Sequence, residues 1–168
     1  MSDPIDFLAI EDGCAHTMAD AIPSATVFAA GATESVTDAA PLVVPLADDF
    51  SEVGGPFVTA LIRQVVIATP PMQERLHITV EVGIWRERVD LPQNRALLWS
   101  DFAAAREAFI AHAKGYLAEP HVQSGVGTRA TAPVTRALPA HAGTQRDFLY
   151  LGFEVEVVTN RVVAYQAG

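Results

Sequence analysis

Cysteine, lysine and basic segments are scarce in this chain of 168 residues. Cys14 is the only cysteine, which excludes an intrachain disulfide and a cysteine-based zinc site. It lies on an apolar helical stripe, so we expect it to pack in the core. The chain has 11 basic and 20 acidic residues, and its net charge of −9 argues against binding to nucleic-acid phosphates or to an anionic membrane surface.

Long apolar runs are also missing, since none approaches the roughly 20 residues needed to cross a bilayer. The first residues include Asp3 and Asp6 and no basic segment, which predicts that there is no signal peptide and that the protein is made in the cytoplasm. Half of the residues are hydrophobic, which is enough for a substantial core. The length is typical of one domain, so we expect a single domain over residues 1–168.

Two long segments, Leu76–Trp85 and Phe148–Val158, alternate between large apolar residues and other residues. The intervening residues are mostly polar, acidic or glycine. Such alternation predicts strands of a sheet that is buried on one side only. The residues expected on the buried side are Leu76, Ile78, Val80, Val82 and Ile84 in the first strand and Leu149, Leu151, Phe153, Val155 and Val157 in the second.

Two helices are predicted from apolar residues that recur three and four positions apart. The first covers Ile5–Ile22, with Asp3 as its N-cap, and leads into a short strand at Ala25–Ala30. The second covers Ser100–Leu117, with Ser100 as its N-cap and Asp101 supporting its first turn.

Phe57–Ala68 is a third strand candidate, with a helix as the alternative. Its apolar residues occupy both faces, so such a strand is either covered on both sides or contacts another subunit. We expect it to form an antiparallel hairpin with the Leu76 strand.

The remaining segments are predicted as a loop (Gly31–Pro41), an edge strand (Leu42–Leu46), an exposed turn (Asp48–Pro56), a short strand (Gly127–Thr135), a long loop (Arg136–Arg146) and a short strand at Val162 and Val163. This order predicts an α+β fold, in which a mainly antiparallel sheet carries two helices on one face.

No dinucleotide-binding, phosphate-loop, nucleophile-elbow or metalloprotease motif occurs in the sequence. We therefore expect no catalytic residues, no cofactor and no metal, and a protein that is not an enzyme. His77 and Glu81 share one strand face and could meet Glu154 or Glu156 in an acid–base or ligand site, although a solvated polar face is the other interpretation. Like charges at Glu81, Glu154 and Glu156 cost a little stability, but they would give a channel for DNA a non-adhesive lining.

Large apolar residues in a connecting segment indicate a subunit interface. Trp85 and Trp99 flank the segment Arg86–Leu98, which we interpret as the connection before the second helix. The alternative is that this connection folds back over the core. The interface candidates are Phe50, Phe57, Trp85, Leu91, Leu97, Leu98 and Trp99.

The order of these elements resembles that of the tail-terminator and head–tail joining proteins of long-tailed bacteriophages. The resemblance depends on the opening helix and short strand, the strand "RLHITVEVGIW" (Arg75–Trp85), the amphipathic helix Ser100–Leu117 and the closing strand within "RDFLYLGFEVEVVT". The long segments Gly31–Pro56 and Glu119–Arg146 depart from that pattern. The resemblance therefore does not distinguish between terminator, stopper and other neck proteins.

The resemblance implies a virion structural protein in a ring of about six copies, which caps the tail tube and docks to the head connector. The implied partners are further copies of the chain, tail-tube and head-connector proteins, and DNA that passes through without specific binding; no membrane is implied. The alternative is a monomeric or dimeric domain that binds a small ligand or acts as an enzyme through His77, Glu81 and Glu154. An adaptor domain without a ring is a third possibility.

Overall fold

The computed structural model describes residues 5–27, 33–37, 41–45, 55–68, 73–89, 91–111, 122–130, 133–139 and 143–162. Its helices are α1 (Phe7–Ala21) and α2 (Leu91–Ala111). Its strands are β1 (Thr26–Val27), β2 (Thr33–Thr37), β3 (Pro41–Pro45), β4 (Phe57–Ala68), β5 (Gln73–Glu87), β6 (Val122–Ala130), β7 (Val134–Pro139) and β8 (Gln145–Val162). The predicted α+β class is confirmed. No helix in these ranges is long and apolar enough to span a membrane.

The main sheet has the strand order β1-β4-β5-β8-β6, and β7 also pairs with β8. All of these pairs are antiparallel except the short pair of β1 with β4. β5 and β8 pair over their whole shared length, with Glu81 opposite Glu154. β6 and β7 occupy successive halves of the other edge of β8. The strands β2 and β3 form a separate antiparallel hairpin.

α1 begins directly after Asp6, whose side chain accepts a hydrogen bond from the backbone N–H of Ala9 at 3.0 Å. The predicted span Ile5–Ile22 is therefore close to the observed one, but the N-cap is Asp6. The predicted cap Asp3 lies outside the described residues. Cys14 is buried in the core, as predicted.

α2 begins well before the predicted N-cap Ser100, so the prediction of a connection over Arg86–Leu98 is wrong for most of its length. Asn94, in the first turn, donates hydrogen bonds to the backbone carbonyl of Glu87, at 2.7 Å, and to that of Val89. These bonds hold the first turn of α2 against the end of β5.

Asp101, which we expected to support the first turn of the second helix, lies in the middle of α2. It is buried and accepts two hydrogen bonds from the guanidinium group of Arg86 on β5, one of them 3.1 Å long. The carboxylate therefore holds α2 on the sheet instead of marking the beginning of a helix.

Phe57–Ala68 forms a strand and pairs with β5 in an antiparallel hairpin, which confirms both predictions and rules out the helix alternative. The predicted loop Gly31–Pro41 is wrong over Thr33–Thr37, which forms β2, and the strand predicted at Leu42–Leu46 is observed one residue earlier as β3. Most of the predicted turn Asp48–Pro56 lies outside the described residues.

The predicted loop Arg136–Arg146 and strand Gly127–Thr135 also need correction, because β6 ends earlier and β7 occupies Val134–Pro139. The long edge of β8 offers backbone donors and acceptors to a segment whose own strand signal is weak. Val162 continues β8, whereas Val163 lies outside the described residues.

Both helices pack on one face of the main sheet, as predicted, and form the larger core there. All the residues that alternation placed on the buried side of β5 and β8 are buried in this core. The opposite face is not fully solvated, because one end of it carries a second buried cluster. Its members are Phe57, Trp85, Leu138, Phe148 and Tyr150.

Candidate functional site

The face of the sheet opposite the helices carries the acidic residues that we predicted to line a channel. Glu81 is on this face but is only 8% exposed. One of its carboxylate oxygens accepts a hydrogen bond of 3.0 Å from the hydroxyl of Tyr150, and the other lies 3.4 Å from Nε of Arg63. Burial raises the pKa of the Glu81 carboxyl, and the bond from Tyr150 partly opposes the shift. The expectation that Glu81 lines a solvated channel is therefore wrong.

Tyr150 reaches Glu81 because two glycines let its ring lie against the sheet. Gly83 and Gly152 face each other across β5 and β8. A Cβ atom at Gly152 would lie 2.9 Å from Cζ of Tyr150 and closer still to its hydroxyl, and one at Gly83 would overlap with the Tyr150 ring. Burial is the main cause of the strongly raised pKa of the Tyr150 hydroxyl, which therefore stays protonated and donates to Glu81.

An aromatic cluster surrounds Tyr150 at the same end of the sheet. The ring centroids of Trp85 and Tyr150 are 4.5 Å apart, and those of the stacked pair Phe57 and Trp85 are 5.3 Å apart. The indole N–H of Trp85 donates to Oγ1 of Thr59 at 3.0 Å. Phe57, Trp85 and Leu98 are fully buried within the chain, so their prediction as interface residues is wrong.

His77 and Glu81 take part in separate contacts, although they share one strand face. Nδ1 of His77 lies 3.2 Å from a carboxylate oxygen of Glu156, and both side chains are partly exposed. Glu81 instead contacts Tyr150 and Arg63. The described residues contain no group of three or more side chains that could hold a metal ion. Glu154 is half-buried, so Glu154 and Glu156 are the predicted lining residues that still have solvent access.

The end of β4 is an exposed apolar segment, Gln64–Ala68, which we call the β4 tip. A β-bulge at Arg63 interrupts the register with β5, and every residue after it is exposed. The exposed fraction is 48% for Val66 and 65% for Ile67. The two residues point to opposite faces of the strand, and both are exposed among the residues that the structure describes. The sequence had one signal for this surface, the apolar residues on both faces of Phe57–Ala68.

α1 covers the outer edge of β4 just before this tip. The carboxylate of Glu11 in α1 accepts a hydrogen bond from the backbone N–H of Ile62, and burial raises the pKa of this carboxyl. On the edge of β4 away from β5, no described strand is hydrogen-bonded to β4 beyond Val58, although the β2–β3 hairpin lies near this strand. The side chain of Glu11 therefore covers the edge at Ile62.

The solvent side of α2 is a second exposed apolar surface, which we call the α2 outer face. It consists of Pro92, Ala96, Trp99, Ala103 and Ile110, which lie on one side of the helix at 100° per residue. Trp99 is 40% and Ile110 45% exposed. The ring of Trp99 meets the edge of Phe102, at 5.8 Å between centroids, and Phe102 meets Phe153 of the core. α2 therefore exposes two large apolar side chains on its outer side, next to the ion pair of Arg106 and Glu107.

The two apolar surfaces lie toward opposite ends of the sheet. Ile67 of the β4 tip pairs with Leu76, whereas Arg86 contacts Asp101 beside Trp99. Ten residues of β5 separate Leu76 from Arg86, a distance of about 33 Å at the usual rise of a strand. The β4 tip and Trp99 therefore cannot contact the same small region of a partner, whereas Ile110 lies about 16 Å from Trp99 along α2.

Among the other predicted interface residues, Leu91 is exposed beside the α2 outer face and Leu97 is half-buried. Phe50 lies outside the described residues. No protein-family model matches the sequence, and no curated protein matches it significantly.

Proposed function

We propose that this chain is a structural protein of a bacteriophage neck, which assembles into a ring of about six copies, as in the tail-terminator and head–tail joining proteins that its sequence resembles. In this role it caps the tail tube, docks to the head connector and lets DNA pass. The observation that carries the proposal is the presence of two exposed apolar surfaces, the β4 tip and the α2 outer face, toward opposite ends of a well-packed chain.

Two different surfaces on one chain suit a head-to-tail contact, which repeats from copy to copy until the ring closes. A symmetric dimer that used only one of the two surfaces would leave the other in water. Exposed apolar residues at such positions are typical of protein interfaces. α1, β1, the β4–β5 hairpin, α2 and β8 follow one another in the order on which the resemblance depends, although α2 begins at Leu91 and not at Ser100.

The charge of the chain suits the passage of DNA. The net charge is −9, and Glu154 and Glu156 lie on the face away from the helices with access to solvent. If this face lines the ring, repeated carboxylates repel phosphates at short range and keep DNA from adhering. Glu81 contributes little to this field, because it is buried beside Arg63 and Tyr150.

The first test is native mass spectrometry of the full chain, with negative-stain images of the same sample. We expect a closed particle of several copies with an open centre. Ile67→Lys places a charge on the exposed β4 tip and should abolish the particle while leaving the thermal unfolding midpoint of the chain unchanged. Val134→Lys is the matched control, because Val134 is an exposed apolar residue of β7 outside both surfaces, and this variant should still assemble.

A wild-type chain that stays monomeric or dimeric at micromolar concentration, without particles in the images, would overturn the proposal. A small molecule or metal that stays bound in the native spectrum would favour the alternative of a ligand-binding domain.

A further inference from the structure

We propose that the β-bulge at Arg63 is a pH-sensitive opening point, at which the β4 tip detaches from β5 when two buried carboxyls, Glu11 and Glu81, lose their protons. The inference goes beyond the proposed function and does not depend on the ring, because the bulge and both carboxyls belong to one chain. Opening at the bulge changes the shape of the β4 tip, which is one of the two exposed apolar surfaces.

The two carboxyls approach the bulge from different elements. Glu11 of α1 accepts a hydrogen bond from the backbone N–H of Ile62, the residue before the bulge. Glu81 of β5 lies opposite Leu61, and its Oε2 is 3.4 Å from Nε of Arg63. Glu11 is 7% and Glu81 8% exposed, and Oε2 of each is buried without a hydrogen-bond partner in the described part of the chain. A negative charge on either group is therefore poorly solvated.

The groups around the two carboxyls compensate only in part for this burial. Those that act on Glu81 are Tyr150 and Glu154 of β8, Arg63 of β4 and Arg136 of β7. All of these except Glu154 favour the carboxylate, but burial outweighs them and raises the pKa of Glu81. For Glu11, burial outweighs the bond from Ile62, and no charged side chain among the described residues contributes to its raised pKa.

The β4 tip is a part of the sheet that can open locally. All of its residues are exposed, and the bulge interrupts the register just before it. Few buried contacts hold the tip, so its detachment costs less free energy than unfolding of the sheet. Opening that begins at Ala68 and reaches Arg63 removes the cover beside Ile62 and lets water reach both carboxyls.

The direction of the pH effect follows from the burial of the carboxyls. Water returns each carboxyl toward its ordinary pKa of 4.5, so the open chain binds the two protons less tightly than the closed chain does. Protonated carboxyls therefore favour the closed strand. Opening becomes easier as pH rises from 4.5 through the raised pKa values of the closed chain.

Amide hydrogen exchange of the full chain tests the inference, at a concentration where the chain is monomeric. Exchange rates are corrected for their intrinsic pH dependence and compared between about pH 4 and about pH 7. We expect the protection of amides in Gln64–Ala68 to fall by roughly threefold to tenfold as pH rises. Strand β7 is the internal control, because it also lies at an edge of the sheet and pairs with β8 alone among the described strands. Its protection should stay the same.

The double variant Glu11→Gln with Glu81→Gln removes both charges and keeps the size of the side chains. We expect its β4 tip to be better protected than that of wild type at about pH 7, and equally protected at both pH values. Glu156→Gln is the matched control, because it removes a carboxylate from the same sheet face that contacts His77 instead of the bulge. This variant should keep the pH dependence of wild type.

Equal protection of the wild-type tip at both pH values, or an equal change in β7, would overturn the inference, even if the double variant does not fold. A double variant that folds and keeps the wild-type pH dependence would overturn it as well. Loss of the dependence in His77→Gln would assign the effect to the imidazole opposite Val66 and would also reject the two carboxyls. None of these results bears on the ring, which the native mass spectrum of the wild-type chain tests separately.

Discussion

The two faces of the long β5–β8 sheet differ in how their residues are covered. On the helix side, α1 and α2 bury the whole alternating set of apolar residues. The opposite face changes along its length: at the Phe57 end it is buried under aromatic rings, and at the His77 end it carries a partly exposed pair with Glu156. A strand pattern thus identifies two faces, but it does not say how far each face is covered.

The two tryptophans show the same contrast between a covered and an uncovered surface. Trp85 is fully buried between Phe57 and Tyr150, whereas Trp99 stands on the exposed side of α2. We expect Trp85→Ala to lower the free energy of unfolding by about 3–5 kcal/mol, through lost burial and the cavity that remains. Trp99→Ala should lower that of the separate chain by less than about 1 kcal/mol. Urea denaturation at a concentration where the chain is monomeric measures both.

A result in which the two variants lose similar stability would show that the outer side of α2 is part of the chain's own core. The contrast between the two tryptophans would then be wrong.

The contact of Tyr150 with the glycine pair gives the next largest effect. A methyl group at position 152 would meet the Tyr150 ring and hydroxyl, so Gly152→Ala should lower the free energy of unfolding by about 1–3 kcal/mol. Adding Tyr150→Phe removes the hydroxyl that lies nearest to the new methyl group. We therefore expect the double variant to lose less stability than the sum of the two single variants, as a double-mutant cycle by thermal or urea unfolding would measure.

Additive effects in that cycle would mean that the ring of Tyr150 does not lie against Gly152.

Tyr150→Phe alone should lower the free energy of unfolding by about 1–3 kcal/mol, since it removes the hydrogen bond to the buried carboxylate of Glu81.

The pH dependence of stability should be the smallest effect. The folded chain raises the pKa of Glu81, mainly through burial, so the folded state binds this proton more tightly than the unfolded state does. The stability that comes from this proton is fully present below the ordinary carboxyl pKa of 4.5. It is lost as pH rises through the raised pKa of Glu81 in the folded chain. Glu81→Gln should flatten the fall in unfolding free energy over that window, measured by urea denaturation between about pH 4 and pH 7.

Glu11 acts in the same direction, because burial also raises its pKa. A double variant with Glu11→Gln should therefore be flatter than Glu81→Gln alone. If the slope of wild type and Glu81→Gln is the same, the Glu81 carboxyl is not held in the buried environment between Tyr150 and Arg63.

The sequence by itself determined the elements whose side-chain period is strong. Apolar–polar alternation predicted β5, β8 and their buried residues. The apolar residues on both faces of Phe57–Ala68 predicted β4, which was expected to be covered on both sides or to contact another subunit. Helical spacing found α1 and the part of α2 that follows Ser100. These features are local, because neighbouring residues along the chain decide them.

The tertiary structure decided the parts that depend on distant partners. The beginning of α2 at Leu91 was readable in principle from Pro92 in the first turn, but Asp101 looked like part of a cap until Arg86 was placed beside it. Burial of Glu81 depends on a tyrosine 69 residues away and on two glycines that face each other across strands. Sequence spacing cannot reveal such contacts, because only the register of β5 with β8 brings these residues together.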